Sequence, residues 1–207
     1  MNKNKLICYT IGHSNHSVNT FISLLTQHKI TCLVDVRSAP YSKFASQFNK
    51  EPLAKELEKS KILYKYMGII LGGRCNNPDL QFEDGRVNYE ALSQTVSFQE
   101  GLEKLIRNIQ KDFKIALMCA EKDPYTCHRF LLLSKNLKNK NVNIMHILEN
   151  GELLPNKEVE NQLLKDYKKE FISGQKDFFN NQISNKTNVL ENAYELHNKT
   201  IAYKSNI

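Results

Sequence analysis

Cys119-Ala120-Glu121, Asp123-Pro124 and Cys127-His128-Arg129 put two thiols, two carboxylates, an imidazole and a guanidinium within a short stretch. A strand-like run ends in the first thiol and carboxylate, a loop crosses, and a helix-like run opens with the rest. A helix N-terminus carries partial positive charge and free N–H groups, so it can hold an anion or depress the pKa of a nearby thiol. Arg129 adds a fixed cation with a two-pronged fork. A Cys119 nucleophile activated by His128 and the helix end would suit sulfur or acyl transfer. In a structural reading, Cys119 is a small buried hydrophobe, Glu121 pairs with Arg129 and His128 caps a helix. A metal held by Cys119, Cys127 and His128, with or without Glu121, is a third chemistry. Adjacent Cys127 and His128 usually point in different directions, and no Cys-x-x-Cys pair supports them, so no metal is expected.

Asp35-Val36-Arg37 places an acid and a base on one face of a strand, because side chains alternate there. Asp35 interrupts an apolar run and is costly to bury without a partner. It reads as a general base or hydroxyl acceptor with Arg37 on a phosphate, or as half of an Asp35–Arg37 or Asp35–Arg129 ion pair. His13 and Ser14 follow Gly12, where a backbone can come close to a ligand. Ser42, after Pro40, could donate to a phosphate or hold a turn. Gly72-Gly73-Arg74 suggests a phosphate loop, but neither GxxxxGK[ST] nor GxGxxG is present. His16, His28, His146 and His197 read as surface or helix-end filler.

The elements that must position these residues alternate. Leu6–Ile11, Thr31–Val36, Ile62–Met67, Lys114–Met118 and Val142–Leu148 read as strands, the second and fourth with the near-continuous apolar character of a parallel sheet buried on both faces. Between and after them, Val18–His28 (capped by Ser17), Pro52–Ser60, Phe98–Gln110 (capped by Ser97), His128–Leu137 (capped by Thr126) and Val159–Ile172 read as helices. Asn150-Gly151 reads as a hairpin-type turn. The expected fold is a Rossmann-like, doubly wound three-layer α/β domain over residues 1–172, with a mostly parallel sheet of about five strands. Residues 173–207 follow as a polar C-terminal tail, loose or weakly helical, whose removal should leave the core folded. Reactive residue types gather after strand ends, the edge where such folds bind ligands. Gly12, His13, Ser14, Asp35, Arg37, Cys119, Glu121 and Arg129 are therefore expected to line one pocket.

Composition sets the outer bounds. The 207 residues are 41% hydrophobic and 25% charged, ordinary soluble usage. No apolar run approaches the roughly 20 residues of a bilayer helix, and the N-terminus lacks an h-region, so a cytoplasmic protein with no membrane partner is expected. Five scattered cysteines make no disulfide framework. Residues 1–150 hold 21 basic and 14 acidic side chains, whereas the rest is balanced at 8 of each. All of the +7 net charge thus lies in the first 150 residues, which favours an anionic small molecule or a nucleic acid as partner.

Taken together, Thr10-Ile11-Gly12-His13-Ser14, Asp35-Val36-Arg37 with Pro40 and Ser42, Leu71-Gly72-Gly73, and Cys119-Ala120-Glu121 with Cys127-His128-Arg129 resemble the domain-of-unknown-function family numbered 488. The similarity runs from about residue 6 to residue 147. It implies a compact bacterial and archaeal α/β domain with a shared site, and names no reaction or cofactor. The two strand-end motifs are also similar to rhodanese-type sulfurtransferases, except that the compact Cys-centred loop gives way here to one containing Pro124 and reaching Arg129 ten positions after Cys119. The leading expectation is an enzyme acting on a phosphate-bearing substrate, a nucleotide or nucleic acid. Asp35, Cys119, Glu121 and His13 would be its catalytic candidates, and Gly12, Ser14, Arg37, Ser42, Gly73, Cys127, His128 and Arg129 its ligand-binding ones. The alternatives are a thiol-dependent transferase using Cys119, or a non-catalytic binding module.

Overall fold

The computed structural model describes residues 6–168 and 186–205. Six strands form one sheet in the order β3-β2-β4-β1-β5-β6. They are β1 (Ile7–Gly12), β2 (Cys32–Asp35), β3 (Leu63–Tyr66), β4 (Ile115–Cys119), β5 (Asn143–Ile147) and β6 (Leu153–Pro155). The first five pair in parallel, and only β6, beyond the turn at Asn150-Gly151, runs antiparallel. The sequence pattern supplies five of them. β6 has three residues, too short for periodicity to register.

Helices cover both faces. On one side α1 (Val18–Gln27) and α2 (Lys50–Lys59) lay Phe21, Leu24, Leu25, Leu53 and Leu57 against Ile11, Leu33, Ala116 and Met118. On the other, α5 (Val96–Gln110) contributes Phe98, Leu102 and Leu105 to a cluster with Val34, Ile115 and Leu117. α7 (Asn156–Asp166) brings Val159 and Leu163 to the same cluster. Adjacent strand residues enter opposite clusters, as the pleat requires. The short helices α3 (Gly68–Leu71) and α4 (Tyr89–Ser93) lie in the long connection from β3 to α5. No helix among the described residues is long and apolar enough to cross a membrane.

Several local expectations change. Thr95, not Ser97, caps α5, with Phe98 N–H donating to its hydroxyl. The helix expected over His128–Leu137 begins as a wide π-helical segment, Arg129–Ser134, and continues as α6, Lys135–Asn139. Thr126 does not cap it; its hydroxyl donates to the Asp123 carbonyl. α7 starts earlier than the Val159 expectation, at Asn156, and ends at Asp166 with Tyr167 as its C-cap; residues 169–172 of the expected helix lie outside the described residues.

Within the expected polar tail, Lys186–Ile201 form α8, and this helix packs on the core. Ala193, Tyr194, His197 and Asn198 are buried. The anchors are polar, which is why apolar periodicity did not reveal them. Tyr89 N–H donates to Asn198 Oδ1 at 2.8 Å, Asn198 Nδ2 donates to the Val87 carbonyl at 2.9 Å, and Tyr194 OH donates to Glu160 at 3.0 Å. Phe178 and Phe179, earlier in the same tail, lie outside the described residues.

Candidate functional site

Parallel strands deliver their carboxyl ends to one edge, and the register shows which residues meet there. Gly12 pairs with Cys119 and Asp35 with Met118. The turn after β1 continues the pairing: His13 N–H donates to the Cys119 carbonyl at 2.9 Å and Ser14 N–H to that of Ala120 at 3.0 Å. Asp35 and Cys119 therefore lie at the same end of the sheet. Gly12 is required by this close approach, since a Cβ there would overlap the Glu121 carbonyl. Its role is to bring two loops together rather than to admit a ligand. Ser14, at φ 46°, adopts the left-handed conformation that completes the turn.

Asp35 is fully buried with both oxygens engaged. Oδ1 accepts from Arg37 N–H at 3.1 Å and Nε at 2.9 Å; Oδ2 accepts from Arg37 Nη2 at 2.6 Å and Tyr64 OH at 2.7 Å. Burial and this bond push the Tyr64 hydroxyl pKa up. A carboxylate so held is a clamp on Arg37. The general-base expectation for Asp35 gives way to that role. His13 is likewise occupied: Nδ1 donates to the Ser14 carbonyl at 3.0 Å, Nε2 accepts from Arg37 Nη1 at 3.2 Å, and the ring stacks on Phe48. Burial pushes its pKa down to about 4, and Arg37 adds to the effect. It is a neutral prop, with no lone pair free for base catalysis. Arg37 Nη2 also reaches the Phe48 carbonyl at 2.7 Å. Of the five N–H donors of a guanidinium, this leaves one, on Nη1, without a partner among the described residues.

A cleft of about 110 Å³ opens beside that donor. Arg37, Ser38 and Ala39 line it from the end of β2, Gly73 and Arg74 from the loop after α3, and Cys119 and Ala120 from the end of β4. His128, Tyr89 and Tyr203 complete it. Thus Arg37, Gly73, Cys119 and His128 line the cleft, while Gly12, His13, Ser14, Asp35, Glu121, Cys127 and Arg129 do not. Ser42 is elsewhere: its hydroxyl accepts from the N–H groups of Phe44 and Ala45, closing a turn. Gly73 serves packing, because a Cβ would sit 2.7 Å from the His128 ring. Sequence reasoning missed Ser38, Tyr89 and Tyr203. Ser38 Oγ accepts from Arg74 N–H at 3.0 Å, and the Arg74 guanidinium lies 4.8 Å from the Tyr203 ring centre. The signal for Ser38 was its place one residue past Arg37. Tyr203 follows the helix that the sequence left as tail.

The second cluster underlies the same floor. Cys119 Sγ and Cys127 Sγ lie 3.6 and 3.8 Å from His128 Nδ1, and Cys127 Sγ lies 3.2 Å from Glu121 Oε2. One donor atom from each of Cys119, Glu121, Cys127 and His128 falls within 4.8 Å of all the others. The expected divergence of Cys127 and His128 does not occur: Cys127 Sγ and His128 Nδ1 face one another at 3.8 Å. His128 Nε2 is buried without a hydrogen-bond partner among the described residues.

Arg129 is fully buried and forms no ion pair among the described residues. Its N–H and Nε donate to Cys127 Sγ at 3.4 and 3.2 Å, Nη1 to Thr10 Oγ1 at 3.3 Å and Nη2 to the Glu121 carbonyl at 2.7 Å. The expected Glu121–Arg129 ion pair is thus a bond to the Glu121 backbone. Phe130 and Leu131 N–H groups turn to the Cys127 carbonyl, so the start of this segment serves Cys127 rather than an outside anion. Burial pushes the Cys119 thiol up, and neighbouring Cys127 and Glu121 add to it. Burial opposes ionisation of Cys127 as well, but the Cys119 hydrogen bond, Arg129 and His128 outweigh it and bring that thiol well below its usual range. The better-stabilised thiolate is thus Cys127, outside the cleft lining, and not Cys119, the nucleophile of the transferase alternative.

His146 and His197, set aside as filler, are buried and bonded. His146 joins Thr10 Oγ1 at 2.8 Å to Asn156 Oδ1 at 3.1 Å, and His197 joins Tyr167 OH to the Tyr125 carbonyl. All five cysteines are free.

No curated protein and no solved structure matches the chain. A family model does, over residues 17–135, which takes in Asp35, Arg37, Gly73 and the whole Cys119–Arg129 cluster. That match spans more than half of the sequence, and the chain belongs to the family described as Domain of unknown function DUF488.

Proposed function

We propose that this protein is an enzyme acting on a phosphate-bearing substrate, a nucleotide or a nucleic-acid end, in the cleft at the carboxyl edge of the sheet. One observation carries the reading: two arginines line the cleft and no carboxylate does. Arg37 is fixed by Asp35 and retains a donor, a rigid and preorganised anion contact. Arg74 forms no ion pair among the described residues and rests on Tyr203. The cleft has room for an anionic head group, so the remainder of a larger substrate would extend over the rim. Tyr89 and His128, both in the lining, add a hydroxyl and an imidazole to the cleft.

Calorimetric titration with inorganic phosphate and a panel of nucleoside phosphates tests the binding step, and mass spectrometry of the incubated panel tests turnover. Arg74→Ala is expected to weaken binding by about 1.5–3 kcal/mol, the range for a hydrogen bond to a charged group. A folded protein that binds no phosphate compound would overturn the reading.

One observation favours a second reading, thiol-based transfer: Cys119 itself lines the cleft. Incubation with thiosulfate followed by intact mass measurement separates the two. A persulfide on Cys119 supports sulfur transfer, and an unmodified chain sets it aside.

A further inference from the structure

We propose that Cys119, Glu121, Cys127 and His128 form a closed, four-coordinate site for a zinc-type divalent cation, directly beneath the cleft. The donor atoms are gathered at close to the separations of a coordination tetrahedron. Metal–ligand distances of about 2.0–2.3 Å imply edges of roughly 3.3–3.8 Å; the cluster shows 3.6 and 3.8 Å from the two thiols to His128 Nδ1 and a slightly shorter 3.2 Å from Cys127 to Glu121, with all four donor atoms within 4.8 Å of one another. Two sulfurs, an imidazole nitrogen and a carboxylate oxygen are a donor set suited to zinc rather than to magnesium or calcium.

Charge supports the same assignment. Cys127 Sγ and Glu121 Oε2 are in contact, so a proton or a cation must lie between them. Two thiolates and a carboxylate around a divalent cation leave one net negative charge. Arg129, fully buried and without an ion-pair partner among the described residues, supplies one positive charge against it. Its N–H and Nε bonds to Cys127 Sγ are the outer contacts that thiolate ligands use to hold their orientation. The orphaned imidazole nitrogen fits too. With Nδ1 on the metal, the ring proton belongs on Nε2, the atom without a partner among the described residues, on a residue that lines the cleft.

The four donors complete a tetrahedral shell, so the role is structural. The ion ties the end of β4 to the start of the Arg129–Ser134 segment and fixes the His128 ring in the cleft floor. Glu121, the exposed ligand, marks the side from which the ion enters. This inference does not depend on the phosphate reading; the metal measurement is made without substrate.

The untagged full chain, purified without chelator, is analysed for metal, then stripped and refilled with zinc or cobalt(II) under reducing conditions. About one equivalent of zinc per chain is expected, with cobalt giving thiolate-to-metal charge-transfer bands and the intense visible bands of a tetrahedral centre. Cys127→Ser should abolish both, whereas Cys75→Ser, a thiol outside the cluster, should leave them intact. Glu121→Gln, exposed and tolerant of change, should lower zinc affinity at least about tenfold in chelator competition while circular dichroism stays unchanged. Metal-free protein that gives no cobalt bands with all thiols reduced would overturn the assignment. Zinc that binds the Glu121→Gln variant as tightly as the parent would do the same, which keeps the test decisive if Cys127→Ser fails to fold.

Discussion

Asp35 accepts four hydrogen bonds with its two oxygens, three of them from Arg37. Its chemistry is mechanical, and substitution should read out first in stability. Removing one partner of a buried ion pair costs about 3–5 kcal/mol, because the other charge is left without compensation. Asp35→Ala should therefore shift urea unfolding by that order, and Arg37→Ala, which strands the Asp35 carboxylate, should do likewise. A stable Asp35→Ala protein that binds ligand normally would show that Arg37 needs no clamp. Gly12 carries a different constraint. Gly12→Ala forces a methyl group onto the Glu121 carbonyl, so the β1 and β4 turns must separate. The expected result is a destabilised protein in thermal melting, with the damage centred on the Cys119–Arg129 loop in hydrogen exchange.

At the scale of elements, the segment from β4 into the Arg129–Ser134 helix is shaped by polar groups it must satisfy. The π-helical turn is rare in proteins and recurs at functional sites; here it begins at Arg129, whose side chain runs back beneath its own loop. The C-terminal helix is the other case. α8 joins the body through Tyr194, Asn198 and His197, and delivers Tyr203 to the cleft. A chain ending at Lys168 should lose cooperative thermal unfolding or melt well below the full chain, the reverse of what the polar composition of this stretch suggests. Tyr194→Phe is the milder probe. It removes one hydrogen bond to Glu160 while Lys138 still holds that carboxylate, so a cost of about 0.5–1.5 kcal/mol is expected in denaturant titration.

Across the whole molecule a polar chain runs through the core from Arg129 to Thr10, His146, Asn156, Glu160 and Tyr194, linking the site to α8. His146 is its titratable link. Burial pushes its pKa down to about 4, and Arg129 contributes in the same direction. In the unfolded chain it titrates near 6.5. Between those values the unfolded state binds the proton and the folded state does not, so stability is full above about pH 6.5 and is lost as pH falls towards 4. A gap of that size is worth on the order of 3 kcal/mol. Denaturant midpoints measured from pH 7 to 4.5 should fall, and His146→Gln should flatten part of that slope. An unchanged slope in the variant would place the acid sensitivity elsewhere, with His13 the next group to examine.

Much of the frame was legible in the residues. Apolar runs marked five strands within a residue or two, and a parallel sheet sends Gly12, Asp35, Arg37 and Cys119 to one edge whatever their side chains do, because the connections fix strand direction. What each side chain faces was not legible, since that depends on neighbours distant in sequence. Asp35 and His13 turned inward because Arg37, Tyr64 and Phe48 were there to receive them. Cys127 and His128 converged because the loop folds back on the end of β4, and α8 docked through side-chain amides and hydroxyls that leave no hydrophobic period. Sequence order determined which edge of the sheet holds the site; three-dimensional packing alone decided which of its reactive groups are engaged and which still face the cleft.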